Sequence, residues 1–163
     1  MKSNIHNQQV QGSNVGRVFF MGLFVLALFA NTATAQDIPQ SQVPSVVVNA
    51  FQKAFPKAYD VEWERDGSYY KVEFETGLIS LDHEVWYDET GKMIRHKEEI
   101  SRSDLPQAVT ASINRDFAGY RVDDVEKITE GDTVTYILEL KKGYEEWKVA
   151  FDQAGNVLHK VAD

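Results

Sequence analysis

The feature that most constrains this 163-residue chain is an internal repeat, because two copies of one pattern require two copies of one local structure. Val43-Pro44 is followed by apolar residues at a spacing of four, and Leu105-Pro106 is followed by the same spacing. This spacing predicts one short amphipathic helix in each half. The apolar positions are Val47, Phe51 and Phe55 in the first half and Val109, Ile113 and Phe117 in the second.

A strand-rich tract follows each predicted helix. Residues 70–74 and 136–140 alternate between apolar and polar side chains, which is typical of half-buried strands. Each half then closes on an Asp-x-x-Gly segment between alternating apolar residues, which favours a β-hairpin turn. The sequence therefore predicts an α+β fold of two tandem units, each a helix plus four antiparallel strands. Because one unit of about 60 residues buries little surface, we expect both units to share one sheet with the helices on one face.

The amino terminus predicts a secretory signal peptide. Lys2 and Arg17 precede an apolar run over residues 18–30, and Ala33 and Ala35 fill the small-residue positions of a cleavage site. The apolar run is shorter than the roughly 20 residues that a membrane span needs. We expect cleavage between Ala35 and Gln36, no stable membrane insertion afterwards, and an exported protein that is periplasmic or extracellular.

These patterns divide the chain into four segments. The predicted organisation is a signal peptide over residues 1–35, a loose leader over 36–42, a first repeat over 43–100 and a second repeat over 101–163. The two repeats are expected to form one compact domain, since neither buries enough surface to be stable alone.

The charge of the chain excludes one class of partner. Removal of the predicted signal peptide takes away two basic residues and leaves 15 basic and 25 acidic side chains, a formal net charge of −10. An acidic surface of that size repels phosphate backbones, so we expect no nucleic acid partner. The chain has no cysteine, and its stability therefore rests on the packed core rather than on disulfides.

Candidate metal and calcium motifs are weak. His83-Glu84 begins like the HExxH motif of zinc proteases, but Tyr87 replaces the second histidine and the segment is predicted to be a strand. His96 and His159 each lie in a closing strand, at positions offset by one between the repeats. Asp88 and Asp152 are interpreted as turn residues, since an EF-hand loop needs further carboxylates. The sequence thus predicts a structural histidine at position 83 and no metal site.

Enzymatic chemistry finds no support in the sequence. There is no cysteine nucleophile and no serine in a G-x-S-x-G turn. Glu145 and Glu146 are adjacent on a predicted strand, so their side chains point to opposite faces and cannot act as an acid and base pair. We expect a protein that is not an enzyme and needs no cofactor.

Strand alternation assigns the apolar side chains to two faces of the predicted sheet. Aromatic residues among charges are typical of recognition surfaces, so we predict a partner-binding surface on the open face. The alternative is that these side chains cover one another across strands. The predicted binding residues are Tyr69, Lys71, Trp86, Ile137 and Tyr144. The predicted helix-covered residues are Val61, Trp63, Tyr70, Val72, Phe74, Val85 and Tyr87, then Val125, Tyr136, Leu138, Leu140, Trp147, Val149 and Phe151.

The repeated pattern resembles a known family. Val43-Pro44 and Leu105-Pro106, the Phe that ends each helix, and the closing Asp-x-x-Gly hairpin are similar to PepSY-like, beta-lactamase-inhibitor-protein-like domains of exported bacterial proteins. The resemblance covers nearly all of residues 40–163. It implies a concave antiparallel sheet that is backed by helices and binds on its concave face. The true inhibitors carry disulfides, and this chain departs from them in having no cysteine.

Two functions are compatible with these observations. The first is a non-enzymatic, inhibitor-like exported module that binds a protein or peptide of the cell envelope through the open sheet face. The alternative is a small-ligand or metal-responsive envelope protein, with a pocket between the sheet and the helices or where the repeats meet.

Overall fold

In the part of the chain that the structure describes, a nine-stranded antiparallel sheet and two α-helices make up the fold. The computed structural model describes residues 36–78 and 80–162, and the predicted signal peptide lies outside them. Neighbouring strands in the sheet follow the order of the sequence. The α+β class is therefore confirmed. The strands are β1 Gln36–Asp37, β2 Tyr59–Asp66, β3 Tyr69–Thr76, β4 Leu81–Tyr87, β5 Met93–Glu99, β6 Arg121–Glu130, β7 Thr133–Lys142, β8 Glu145–Asp152 and β9 Val157–Ala162, and the helices are α1 Ser45–Ala54 and α2 Gln107–Asp116.

Each helix stands before four strands and turns its predicted apolar stripe to the sheet. Val47 and Phe51 of α1 are buried, as are Val109 and Ile113 of α2. Each helix begins directly after a proline that is extended and serves as the N-cap. This position suits proline because an amide hydrogen there would have no partner within the helix.

The pairing of the strands places both helices on the same face of the sheet. Val85 of β4 lies opposite Val72 of β3 and His96 of β5, and His96 lies opposite Thr129 of β6. One face therefore continues from the first unit into the second. The buried core on this face contains Val43, Val47, Phe51, Trp63, Val72, Phe74, Val85 and Tyr87 in the first half and Leu105, Val109, Ile113, Phe117, Val125, Tyr136, Leu138, Leu140, Val149 and Phe151 in the second.

The assignment of Val61 to this core is wrong. Val61 is 37% exposed. The pairing of β2 with β3 shifts between Tyr59 and Glu62, where Asp60 has φ 52°. This bulge changes which residues of β2 face the helices. Trp63 takes the inward position and is 4% exposed.

Tyr70 and Trp147, also expected on the covered face, lie at its margin. Both are only partly buried and pack against the edges of the two core clusters. Arg65 Cζ lies 4.3 Å from the Tyr70 ring centroid, and Lys160 Nζ lies 5.1 Å from that of Trp147. Basic side chains therefore cover part of each ring.

Residues 36–42, expected to be a loose leader, are ordered against the sheet. Gln36 and Asp37 pair with β2 as a short edge strand, and the amide of Ile38 donates to the carbonyl of Trp63 at 2.9 Å. A 3-10 helix, Gln40–Gln42, then leads into α1.

The two predicted Asp-x-x-Gly hairpins are confirmed. Asp88 Oδ1 accepts hydrogen bonds from the amides of Thr90 and Lys92 at 2.9 and 3.0 Å, and Asp152 Oδ1 accepts from the amide of Asn156 at 2.9 Å. The second turn sits directly on α2. A Cβ atom at Gly155 would lie 2.4 Å from the carbonyl oxygen of Ala108, and Gly155 has φ 80°. Only glycine fits this turn without distortion.

Candidate functional site

Three of the five predicted binding residues lie together on the open face, which is the sheet face away from the helices. Lys71 and Trp86 are directly opposite each other on β3 and β4, and Tyr69 is two residues before Lys71. The other two predicted residues are elsewhere in the second half. Ile137 is 3% exposed and packs in a small apolar cluster, while Tyr144 is fully exposed in the turn between β7 and β8.

Trp86 faces away from the helices, as predicted, but its expected exposure is wrong. The side chain is 9% exposed because neighbouring side chains cover it. Arg95 Cζ lies 4.6 Å and Lys71 Nζ 5.5 Å from the ring, and the indole nitrogen donates to Asp66 Oδ2 at 2.7 Å. The surroundings of Trp86 therefore match the alternative interpretation, in which side chains of neighbouring strands cover one another.

Lys71 is also more enclosed than a binding residue on an open surface would be. Its side chain is 13% exposed, and its ammonium group contacts the carboxylates of Glu64, Glu73 and Glu84. Burial lowers the pKa of Lys71, but these carboxylates outweigh burial and hold the pKa above its usual value. Lys71 therefore serves as a charged centre that organises the acidic side chains around it.

An aromatic groove of about 530 Å³ lies beside Trp86 on the open face. Tyr69, which is 39% exposed, and Arg95 line it from the first half, and Glu130 lines it from the second. The turns between β2 and β3 and between β6 and β7 form its rim. The groove therefore includes residues of both repeats. The pattern within one repeat does not predict it.

A second, acidic groove of about 290 Å³ lies at the other end of the same strands. Five carboxylates and one ammonium group line it, so its lining has a formal charge of −4. Burial raises the pKa of Glu84, but hydrogen bonds and charges from Lys97 and Lys71 outweigh burial and keep that pKa below its usual value. Glu84 is therefore ionised at neutral pH. The lining residues are Asp82, Glu84, Lys97, Glu99, Asp124 and Glu126.

A third cluster lies on the helix-covered face. His83, His96 and Glu98 each offer one ligand atom, and these atoms lie within 4.8 Å of one another. The sequence alone did not reveal this group, because His96 was compared with His159 across the repeats rather than with its neighbour on the next strand. The signal was present in the hairpin: the turn at residues 88–91 brings His83 beside His96 on one face.

Two predictions about catalytic motifs have a structural outcome. The segment from His83 to Tyr87 lies within strand β4, as predicted, rather than in the helix that a zinc-protease motif requires. Glu145 contacts the hydroxyl of Tyr120, whereas Glu146 contacts Lys141 Nζ at 2.8 Å. The two adjacent carboxylates therefore have separate partners.

A model of one protein family matches most of the chain. The family is described as "Putative beta-lactamase-inhibitor-like, PepSY-like", and its model matches residues 31–95 and 68–159. The chain belongs to this family. The two matches overlap over residues 68–95 and suggest a repeated pattern, while the boundary between residues 100 and 101 stays a prediction.

Solved structures share the fold of this PepSY-like chain. A protein from Bacteroides eggerthii, described as a putative periplasmic protein, is 20% identical with a TM-score of 0.63 and covers 74% of this chain and 88% of its own. A BLIP-like protein from Bacteroides fragilis is 23% identical with a TM-score of 0.60, covering 77% of this chain and 87% of its own. A DUF2874 family protein from Bacteroides uniformis is 21% identical with a TM-score of 0.62, covering 73% and 88%. At these identities the likeness shows the fold.

Two further findings concern relatives and membranes. No curated protein sequence matches this PepSY-like chain. Within residues 36–78 and 80–162, no helix is long and apolar enough to cross a membrane. The export predicted from the amino terminus agrees with the periplasmic description of the Bacteroides eggerthii relative.

Proposed function

We propose that this chain is an exported, non-enzymatic binding module that holds an extended, basic segment of an envelope protein on its open sheet face. The observation that carries the proposal is the pair of grooves on strands β4 to β6. The acidic groove contains Glu84, and the aromatic groove begins at Trp86, two residues further along β4. Two residues of a strand span about 7 Å, so one extended segment can occupy both grooves.

Charge complementarity selects the occupant. The acidic groove has a formal charge of −4, so a segment with several Lys or Arg side chains is favoured there and an acidic one is repelled. In the aromatic groove, the exposed ring of Tyr69 offers a contact for an apolar or aromatic side chain of the same segment. The expected partner is therefore a protein with a basic stretch beside an apolar residue.

The comparisons support export and protein binding in general, and not the specific kind of partner proposed here. The matching family is described as "Putative beta-lactamase-inhibitor-like", and one relative is described as a putative periplasmic protein. Inhibition of a beta-lactamase is not part of the proposal.

The proposal is tested by capture of partners from an envelope extract, followed by affinity measurement with the recovered partner. The test variants are Asp82→Lys, which reverses an exposed charge in the acidic groove, and Tyr69→Ser, which removes the exposed ring of the aromatic groove. Each is expected to weaken the partner's affinity at least tenfold, and added salt should weaken it further. The matched control is Asp116→Lys, a similar charge reversal at the end of α2.

Two outcomes contradict the proposal. One is a partner that binds the wild-type, Asp82→Lys and Tyr69→Ser proteins equally well, since it would use another surface. The other is the recovery of no stoichiometric protein partner under conditions in which the wild-type chain is folded.

The alternative function, a metal-responsive envelope protein, is favoured by one observation. His83, His96 and Glu98 form a group of potential ligands on the opposite face of the sheet from the two grooves. That group is independent of the proposed partner surface.

A further inference from the structure

The two histidines and the glutamate come together because of the register of strands β4 and β5. His83 lies directly opposite Glu98, and His96 lies opposite Val85, whose side chain is in the helix-covered core. All three potential ligands therefore point to the covered face. The two imidazoles lie beside Phe55, the residue that follows α1: the Phe55 ring centroid is 5.4 Å from that of His96 and 6.2 Å from that of His83.

The surrounding rings hold His83 in place. The imidazole is 8% exposed and stacks on Phe74, with ring centroids 4.9 Å apart and an interplanar angle of 8°. His96 in turn stacks on His83 at 5.3 Å. Because a metal site needs ligands in fixed positions, this packing reduces the conformational cost of binding an ion.

The spacing of the ring nitrogens fits a shared ion. His83 Nδ1 and His96 Nε2 share a hydrogen bond of 3.1 Å, which an ion bound between the two nitrogens would replace. In a tetrahedral zinc site each nitrogen lies about 2.0–2.1 Å from the ion, so two such nitrogens are about 3.3 Å apart. The imidazoles therefore need to move by only a few tenths of an ångström. Glu98 completes a set of two imidazoles and one carboxylate, whose ligand atoms lie within 4.8 Å of one another.

The second nitrogen of His83 has a partner of the kind that metal ligands have. His83 Nε2 lies 2.7 Å from the hydroxyl oxygen of Thr76. If Nε2 donates its hydrogen to that oxygen, Nδ1 is left with a lone pair that points toward His96. Partners of this type orient metal-binding histidines and fix their tautomer.

The two imidazoles of the cluster favour their neutral forms. Burial lowers the pKa of both His83 and His96, while the charge of Glu98 acts in the opposite direction. Both rings are therefore neutral at pH 7 and can donate lone pairs. Lys127 Nζ contacts Glu98 Oε1 at 2.8 Å, which anchors one carboxylate oxygen and leaves the carboxylate with a second oxygen to offer.

We propose that His83, His96 and Glu98 bind one divalent transition-metal ion of the Zn²⁺ class, with water as the fourth ligand. Two imidazoles and one carboxylate are the ligands of a known type of zinc site that keeps one position open. Copper and nickel are also bound by imidazole, and Cu²⁺ is expected to bind more tightly than Zn²⁺. The site does not depend on the proposed partner surface.

The proposal is tested by titrating the purified chain, without an added histidine tag, with Zn²⁺ alone and with Co²⁺ alone. Calorimetry should show one ion per chain, and Co²⁺ should give the intense visible absorption of a tetrahedral site. His96→Gln and Glu98→Gln are each expected to weaken Zn²⁺ binding at least tenfold, and Thr76→Val about tenfold through loss of the contact with His83. The control is His159→Gln on β9 in the second half, which should leave the affinity unchanged.

A measurement on the wild-type chain keeps the test independent of the folding of any variant. In ¹⁵N-labelled protein, Zn²⁺ should shift the resonances of His83 Nδ1 and His96 Nε2 and leave those of His159 in place. The proposal is overturned if Zn²⁺ at 1 mM produces no such shift, or if His96→Gln binds Zn²⁺ as tightly as the wild type. Either result would assign the histidine pair to packing and hydrogen bonding alone.

Discussion

Tyr87 places a hydroxyl in the core of the first half, and within the part of the chain that the structure describes this hydroxyl makes no hydrogen bond. The side chain is 1% exposed, and burial raises the pKa of the phenol to about 12. The matching position of the second half, Phe151, has no hydroxyl and is fully buried. The two repeats thus differ by one uncompensated polar group at the same place in the fold.

Replacement of Tyr87 by Phe is expected to leave the free energy of unfolding unchanged or raise it by up to about 1 kcal/mol, because the buried hydroxyl is unpaired. The reverse change, Phe151→Tyr, should lower it by about 1–3 kcal/mol. Urea denaturation of both variants measures the two effects. A large loss of stability in Tyr87→Phe would show that the hydroxyl has a partner.

Trp86 is expected to matter for stability as well as for the aromatic groove. Because its ring is 9% exposed and its indole nitrogen bonds to Asp66, Trp86→Ala should lower the free energy of unfolding by about 3 kcal/mol. Tyr69→Ala, at an exposed position on the same face, should change it by less than about 0.5 kcal/mol. Chemical denaturation compares the two variants. Equal and small effects would mean that the side chains around Trp86 do not pack on it.

The sequence predicts which face of the sheet a side chain lies on better than it predicts how exposed that side chain is. Alternation along β4 correctly separates Val85 and Tyr87 from Trp86, because the period of a strand is a local property. The cover on Trp86 comes from Arg95 and Asp66, which reach it from β5 and β2. Their contacts depend on strand pairing, and no pattern within β4 contains that information.

At the scale of the elements, the closing hairpins fasten the sheet to the helices. The turn at Gly155 lies against the first turn of α2, and the turn at Gly91 lies against α1, where a Cβ atom would be 2.9 Å from the carbonyl oxygen of Val46. Both contacts are between backbone atoms. Each unit is therefore closed by its last hairpin meeting its own helix.

Substitution of Gly155 by Ala should be costly for two reasons. The residue has φ 80°, and the added methyl group would lie 2.4 Å from the carbonyl oxygen of Ala108. We expect a loss of about 2–5 kcal/mol in the free energy of unfolding. The control is Gly131→Ala, with φ 55° and nothing within 4 Å of the new atom, which should cost about 1–2 kcal/mol. Thermal or urea unfolding decides, and similar losses in both variants would contradict the close contact with α2.

The helices and turns could be predicted from the sequence, whereas the bulge in β2 could not. The spacing of Val47 and Phe51 and the Asp-x-x-Gly segments are short-range signals that depend on neighbours in the chain. The register shift beside Asp60 depends on how β2 meets β3, and it moved Val61 out of the core. The cluster of His83 with His96 is of the same kind, since it follows from the pairing of β4 with β5.

At the scale of the whole molecule, the two halves are joined by the pairing of β5 with β6. Ion pairs cross this joint on both faces: Lys97 contacts Glu126 at 2.8 Å on the open face, and Glu98 contacts Lys127 at 2.8 Å on the covered face. The aromatic and acidic grooves also take residues from both sides of the joint. The proposed partner surface is therefore complete only when both units are present.

Residues 36–100 expressed alone are expected to fold poorly or to associate. The fragment is small enough to bury only about 60% of its surface, and β5 would expose an unpaired edge. Circular dichroism during heating and analytical ultracentrifugation test this expectation. Cooperative melting of a monomeric fragment would show that the first unit is stable without the shared sheet.

The order of the strands has a consequence for how the chain folds. Every strand pairs with its neighbours in the sequence, from β1 through β9, so most pairings require the closure of only a short connection. Proteins whose contacts are local along the chain fold faster than those with distant pairings, because less loop entropy is lost before contacts form. Without cysteines, no step has to wait for disulfide exchange. Such a chain can acquire its structure rapidly, one hairpin after another.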